Sequence, residues 1–507
     1  VKVAPGETEI YVAVVGNDLA FSANQPYALT LEASTPPSQK ALLEGTGFCA
    51  AETDASGSPL YGPSWAAGGT GDPAAGSVLI LTQKERYEIE QAAAAAAAVS
   101  EGEFDSTELF WANFWAKIDE YALAVGGTVV SIDGSLYQAA DMDPCSVATR
   151  NALAQAIRDT YIVDPVTQAW RNPSLASVVF VGGQITVPPL AVPDETIVGN
   201  EKDFTTDLWV RPGTPLAVAT AEGYNLTDAF YTDLIETPFR GRALYLEDRP
   251  VARLVERPAE IIGDIDAFFS IQAGTAPNTG RLAYGYDFFC DGTSEVSDLL
   301  GADISDVGPP CTSALPWTAS DLERDWLAGG AAMCTQAGAT LPLEIANVNA
   351  HMTTYGALSA FGFIEGLATG NYEDVLPTST AASCLAGVLT ATIGCHSGLN
   401  IPDSWAISDE LGLPFDAAQD WVELLGFMVA PRGYGLGDNT VSNRGTEGLM
   451  ILLVEELNLG RTLGQALVNA KRRYVMGLRE IDVHDEDSLI NLSLFAPPQL
   501  LFPAQGI

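Results

Sequence analysis

From Ser77 onward, short apolar runs alternate with longer stretches of helical periodicity. Val78-Leu79-Ile80-Leu81 precedes an amphipathic stretch over about 84–123, and Thr128-Val129-Val130-Ser131-Ile132 precedes a helix pattern over Cys145–Ile162. Val178-Val179-Phe180-Val181 then ends at Gly182-Gly183. Strands covered on both faces read as continuous apolar runs, and helices between them supply the crossovers. The pattern therefore predicts an α/β fold, mostly parallel sheet flanked by helices. A second series begins near Ala243-Leu244-Tyr245-Leu246. Pro258-Ala259-Glu260 opens a helix running to about Gln272, with proline and a carboxylate in the first turn, where a missing N–H costs nothing and the dipole favours negative charge. Strands follow at 282–286, 343–350, 386–394 and 426–430, and helices at about 443–458 and 462–479.

The first 76 residues differ. Residues 1–34 alternate apolar and polar positions on either side of Gly16-Asn17-Asp18, which predicts two antiparallel strands. Two strands do not stand alone, so this segment reads as the tail of a β-sandwich-like module. Residues 35–76 are rich in Gly, Pro, Ser and Ala without periodicity and read as a linker or long loop. The expected organisation is therefore 1–34 strands, 35–76 linker, 77–242 a first α/β subdomain and 243–507 a second, catalytic one.

Composition adds limits. A 507-residue chain with 47% hydrophobic and 18% charged residues is folded and too long for one core. No run is long and apolar enough to span a bilayer; the alanines of 92–98 sit inside a helix pattern. Twenty-four basic against 65 acidic residues give a net charge of −41, which repels nucleic acid and suits a solvated surface. The acidic run Asp482-Val483-His484-Asp485-Glu486-Asp487 lacks the spacing of a calcium loop and reads as a solvated loop. Seven cysteines, none in a C-x-x-C pair, suit three disulfides plus one free thiol in an exported protein; three histidines leave little for a zinc site. No signal peptide is visible and residue 1 is Val, which reads as a mature or excised product.

The chemistry concentrates at two strand ends. Cys395 lies in Ile393-Gly394-Cys395-His396-Ser397-Gly398 directly after one apolar run, and His351 closes another, 44 residues upstream. Parallel strands deliver both side chains to one sheet edge, and a histidine about this far upstream of the thiol is also the caspase order. A thiolate is strongly nucleophilic and an imidazole can protonate a departing amine, so the pair fits acyl transfer from a peptide. Backbone amides around Cys395 would hold the oxyanion, and Gly394 allows close approach of substrate. A buried core cysteine is the competing reading of Cys395 alone; His351 at a matching strand end tips the balance. His396 is adjacent in sequence, where side chains alternate faces, and is expected to line the cleft or cap the next turn. Asp287, after Leu282–Tyr286, either selects a basic substrate side chain or satisfies turn amides. Asn349 and Ile393 each lie two residues before a catalytic residue and are expected to wall a specificity pocket.

Several ordered motifs resemble the gingipain-type cysteine peptidases of bacteria, relatives of caspases, legumains and separases. They are Val179-Phe180-Val181-Gly182-Gly183 with Val192-Pro193-Asp194-Glu195, Ala252–Ile261, Tyr284–Phe288, Asn349-Ala350-His351, Gly394–Gly398, Gly433–Asp438, and Gly464-Gln465-Ala466-Leu467 with Ala470-Lys471. The resemblance covers about 77–500. It implies a caspase-like fold in two subdomains, a His351–Cys395 dyad, export, no required cofactor, and structural calcium as an option. Three positions depart from the family pattern. Met352 stands where a glycine amide serves the oxyanion hole, Gln184-Ile185 replace an acidic pair, and Ala430-Pro431-Arg432 replace a small polar pair. Two functions follow: an exported cysteine endopeptidase, or an impaired pseudo-peptidase kept as a cell-surface or assembly scaffold.

Overall fold

The computed structural model describes residues 49, 69–205, 207–274, 280–309, 315–327, 343–378, 387–403, 405–406, 421–424, 426–437 and 444–502. The strands expected in 1–34 and almost all of the expected linker lie outside the described residues. The chain forms the expected α/β architecture of mostly parallel sheets flanked by helices. β1 (Val78–Thr82), β2 (Gly127–Ser131), β3 (Ser177–Val181) and β4 (Val251–Leu254) make one sheet in the order β4-β3-β1-β2, all parallel. β5 (Gly280–Gly285), β6 (Ile304–Val307), β7 (Leu343–Asn349), β8 (Leu389–Ala391), β9 (Phe427–Pro431) and β10 (Leu492–Phe495) make the other, in the order β6-β5-β7-β8-β9-β10. Only β10 runs antiparallel to its neighbour. Edge strands β4 and β10 lie against one another and join the sheets.

Local chemistry sets the helix ends. The stretch over 84–123 divides into α1 (Lys84–Glu90), α2 (Ala92–Ser100) and α3 (Thr107–Ala124). Gly102 takes the left-handed conformation that ends α2, and the Ser106 hydroxyl accepts from the Leu109 amide to start α3. α4 (Val147–Tyr161) and α5 (Pro258–Gln272) match their apolar patterns, α5 beginning at its proline. α6 (Cys290–Leu300) and α7 (Ala360–Thr369) follow, and α8 (Gly445–Asn458) and α9 (Leu463–Gly477) pack as a pair. The run at 482–487 is not a solvated loop: it opens α10 (Val483–Asn491), with Asp485, Glu486 and Asp487 buried. The Asp482 carboxylate caps the amides of His484 and Asp485, and Asp485 returns a bond to the Asp482 amide. No described helix is long and apolar enough to cross a membrane.

Buried polar groups seam the two sheets. Arg253 on β4 forks onto Asp228 at 2.6 and 2.7 Å, and Arg432, just past β9, pairs with the same carboxylate. Other acids in the interior bind their protons more tightly than in water. Burial pushes the Asp233, Glu90 and Glu260 carboxyls up to about 7. Each binds its proton more tightly folded than unfolded, so its stabilising effect is full below about pH 4 and lost as pH rises towards 7. Self-repulsion among 41 excess negative charges acts in the same direction. The urea midpoint is therefore expected to fall steadily between pH 5 and pH 8; a midpoint that rises over that range would show these acids ionised in the native state.

Candidate active site

Register brings the expected residues to one edge. Asn347 pairs with Ala391, an offset of 44, and His351 and Cys395 differ by the same 44. Gly285 pairs with Asn349, an offset of 64, which Asp287 and His351 share. Asp287, His351 and Cys395 thus leave the carboxyl ends of three adjacent parallel strands at matched positions, and adjacent strands lie about 4.8 Å apart. Asp287 and His396 both adopt left-handed backbone, with φ of 55° and 56°. Non-glycine residues held there cost about 1–3 kcal/mol each, and such strain concentrates at functional turns.

The imidazole is held by one carboxylate and four aromatic rings. His351 Nε2 stands 3.1 Å from Asp287 Oδ2, and the ring stacks on Phe363 with centroids 4.9 Å apart. Phe288, Phe289 and Tyr286 complete an aromatic cage around it. The His351 amide donates to the Tyr286 hydroxyl, which donates in turn to the Leu358 carbonyl at 2.7 Å. With 30% of the side chain exposed, the ring still reaches solvent. With Nε2 facing the carboxylate, Nδ1 is the nitrogen left for substrate chemistry.

The thiol loop is held by its neighbour across the sheet. Thr392, His396 and Gly398 amides donate to the carbonyls of Val429, Gly433 and Pro431. Gly435 passes so close that a Cβ there would lie 1.7 Å from the Ile393 carbonyl oxygen, a distance only glycine allows. Cys395 is a free thiol, whereas Cys145 bonds Cys49 and Cys290 is disulfide-bonded too. Its sulfur is buried and points 3.9 Å from the Gly435 carbonyl oxygen. Burial, with a smaller contribution from Glu201, pushes the thiol up to about 12, so it rests protonated at neutral pH.

Other expected site residues take different places. Asn349, the last residue of β7, and Ile393, two residues beyond β8, are buried rather than open to a cleft. The Asn349 amide donates to Thr293 and Asn347, and its oxygen accepts from the Ile393 amide. The reason is that two residues before the edge the strands are still covered on both faces. The Gly394 amide is spent on the Thr392 hydroxyl at 2.9 Å and the His396 amide on Gly433, so the amide next to the sulfur is that of Cys395 itself. Met352 packs its side chain onto Gly394, where a Cβ would meet its sulfur at 2.5 Å. Asp287 turns its carboxylate to the His351 ring. His396 is buried rather than lining a cleft, with Nε2 3.0 Å from Glu201, whose other oxygen accepts from the Tyr434 amide. Glu201 and Phe363 had no sequence signal; Tyr286 and Gly435 did, inside the Tyr284–Phe288 and Gly433–Asp438 motifs. Among the described residues no cluster of His, Cys, Asp or Glu is arranged to hold a metal ion.

No protein-family model matches the chain, and no curated protein matches it. Among solved structures, the Arg-specific cysteine proteinase gingipain R is similar at 11% identity and a TM-score of 0.45, over 86% of this chain and 80% of that one. A structure described as a protease is similar at 10% identity and a TM-score of 0.42, over 85% of this chain and 79% of that one.

Proposed function

We propose that this chain is an exported cysteine endopeptidase, with Cys395 as nucleophile, His351 as general acid and base, and Asp287 as the carboxylate that orients the ring. The observation that carries this reading is the alignment of a carboxylate, an imidazole and the one free thiol among the described cysteines on adjacent strand ends, with the carboxylate bonded to the imidazole. In the reaction the Cys395 proton passes to His351, sulfur attacks the scissile carbonyl, and the Cys395 amide supports the oxyanion. The imidazolium, stabilised by Asp287, gives its proton to the leaving amine. Water then hydrolyses the thioester, returning the acid product and the thiol. The disulfide between Cys49 and Cys145 supports an oxidising, extracellular or cell-surface setting.

One observation favours a second reading. A thiol held near 12, beside a methionine seated on Gly394, suits an impaired pseudo-peptidase acting as a surface or assembly scaffold. The two separate in one experiment at pH 7, comparing peptidyl chloromethyl ketones with iodoacetamide and mapping adducts by mass spectrometry. The peptidase predicts fast modification at Cys395 by the peptidyl reagents, about 10²-fold or more above iodoacetamide, because substrate contacts position the carbon and the ring takes the proton. Slow modification by both reagents at equal rates means the scaffold.

A further inference from the structure

A cavity of about 250 Å³ lies in the first sheet's territory, between α1, α4 and the loop that follows Cys395. Two arginines face it. Arg86 is neutralised by Asp141 at 2.9 Å and lies over the Tyr137 ring. Arg150 has no direct ion pair of its own, and the Asp141 charge acts on it only through space. The Arg150 guanidinium donates to the Gln184 carbonyl at 3.2 Å and lies 5.9 Å from the Trp405 ring centroid, with no carboxylate of the described residues in ion-pair contact. Burial and the Arg86 charge lower the Arg150 guanidinium to about 10. Glu90 also lines the cavity, and its Oε1 is buried without a hydrogen-bond partner. Burial holds that carboxyl up to about 7, so at neutrality it divides between a carboxylate and an acid form that presents an O–H donor. The remaining wall is apolar, with Ile89, Leu153, Ile185 and Pro188.

We propose that this cavity is a binding site for a small organic carboxylate with an apolar or aromatic body. An unpaired guanidinium with a flat ring beside it is a fork for a carboxylate, and a chain of net charge −41 that keeps such a fork without an ion pair leaves it for a ligand. The volume lies below the roughly 300–1,000 Å³ of drug-sized clefts, which limits the ligand to about the size of one amino acid. Gln184 and Ile185 both line this wall, and the Gln184 amide donates to the Asn400 carbonyl in the loop after Cys395. The carboxylate belongs either to a free acid or to the end of a peptide.

The test uses the whole protein and isothermal titration with phenylpropionate, N-acetylphenylalanine and the amide of each. Carboxylates are expected to bind at least about tenfold tighter than their amides. Arg150→Met should abolish that preference and Arg150→Lys retain part of it. Tighter binding of N-acetylphenylalanine than of phenylpropionate identifies a chain terminus as the ligand; the reverse identifies a free acid. In case Arg150→Met does not fold, photolabelling of the native protein with a diazirine-bearing benzoate locates the site. The expected adducts fall in the peptides carrying Ile89, Leu153 or Trp405, competed by phenylpropionate and not by its amide. Equal binding of acids and amides, a preference that survives Arg150→Met, adducts elsewhere, or no binding at all would each overturn the proposal.

Discussion

Replacing His351 with Ala should slow hydrolysis of fluorescein-labelled casein by about 10²–10⁴-fold, the usual contribution of a positioned acid–base group. The size follows from the resting thiol. With the sulfur held up to about 12, almost no thiolate exists at pH 7, so the reaction needs a base that takes the proton as the carbon–sulfur bond forms. His351 is the base whose strand position matches Cys395. Asp287→Asn should also cost activity, because the carboxylate at Nε2 fixes the ring tautomer that leaves Nδ1 free and stabilises the imidazolium. A purely structural role for Asp287 would lower the urea midpoint of the Asn variant along with its rate. A positioning role predicts that kcat falls while KM and the midpoint stay close to wild type, since the ring loses the contact that holds its reactive tautomer. Added imidazole should restore part of the rate to His351→Ala and none to Cys395→Ala. Full activity in His351→Ala would end the proposed mechanism.

The parts of this site legible in the sequence are those set by periodicity. Apolar runs, continuous in β1, β3 and β9 and interrupted by Glu344 and Asn347 in β7, marked the strands, and the spacing of His351 and Cys395 proved equal to the register offset of their strands. What escaped depends on groups that meet only after folding. The acidic run at 482–487 has a capping pattern, Asp482 with Asp485, yet reads as a solvated loop when charge is weighed alone. β4, placed by sequence with the second subdomain, pairs with β3 of the first sheet, because a four-residue strand carries no record of which edge it joins. The residues singled out in the sequence at 184–185, 352 and 430–432 have physical roles in the fold. Met352 fills the space over Gly394, Gln184 and Ile185 wall the cavity beside Arg150, and Arg432 completes the buried cluster around Asp228.

That last role carries the largest expected effect on stability. Asp228→Asn should destabilise the fold by about 3–5 kcal/mol, the usual cost of leaving a buried charge without its partner. Arg253 and Arg432 are only 2% and 6% exposed, and one carboxylate serves both. Burial alone would raise the Asp228 carboxyl, but the two guanidiniums outweigh it and hold it at about 2. Its folded value lies below its unfolded one, so its contribution is complete above about pH 4 and is lost as pH falls towards 2, a term of about 2.5 kcal/mol. The wild-type urea midpoint should therefore drop steeply below pH 4, and the Asn variant, with no carboxylate to titrate, should show a shallower acid limb. Replacing all three residues together, Asp228→Leu with Arg253→Met and Arg432→Met, should recover most of the loss, because the cost lies in the unpaired charges and the two rings beneath them, Phe180 and Phe495, accept apolar neighbours. If the triple variant is as unstable as Asp228→Asn, the seam depends on the hydrogen bonds of the fork and not on charge balance. Because Arg432 immediately precedes Gly433, whose carbonyl holds the His396 amide, the single variant should also loosen the thiol loop and raise the iodoacetamide rate at Cys395 above that of the triple variant.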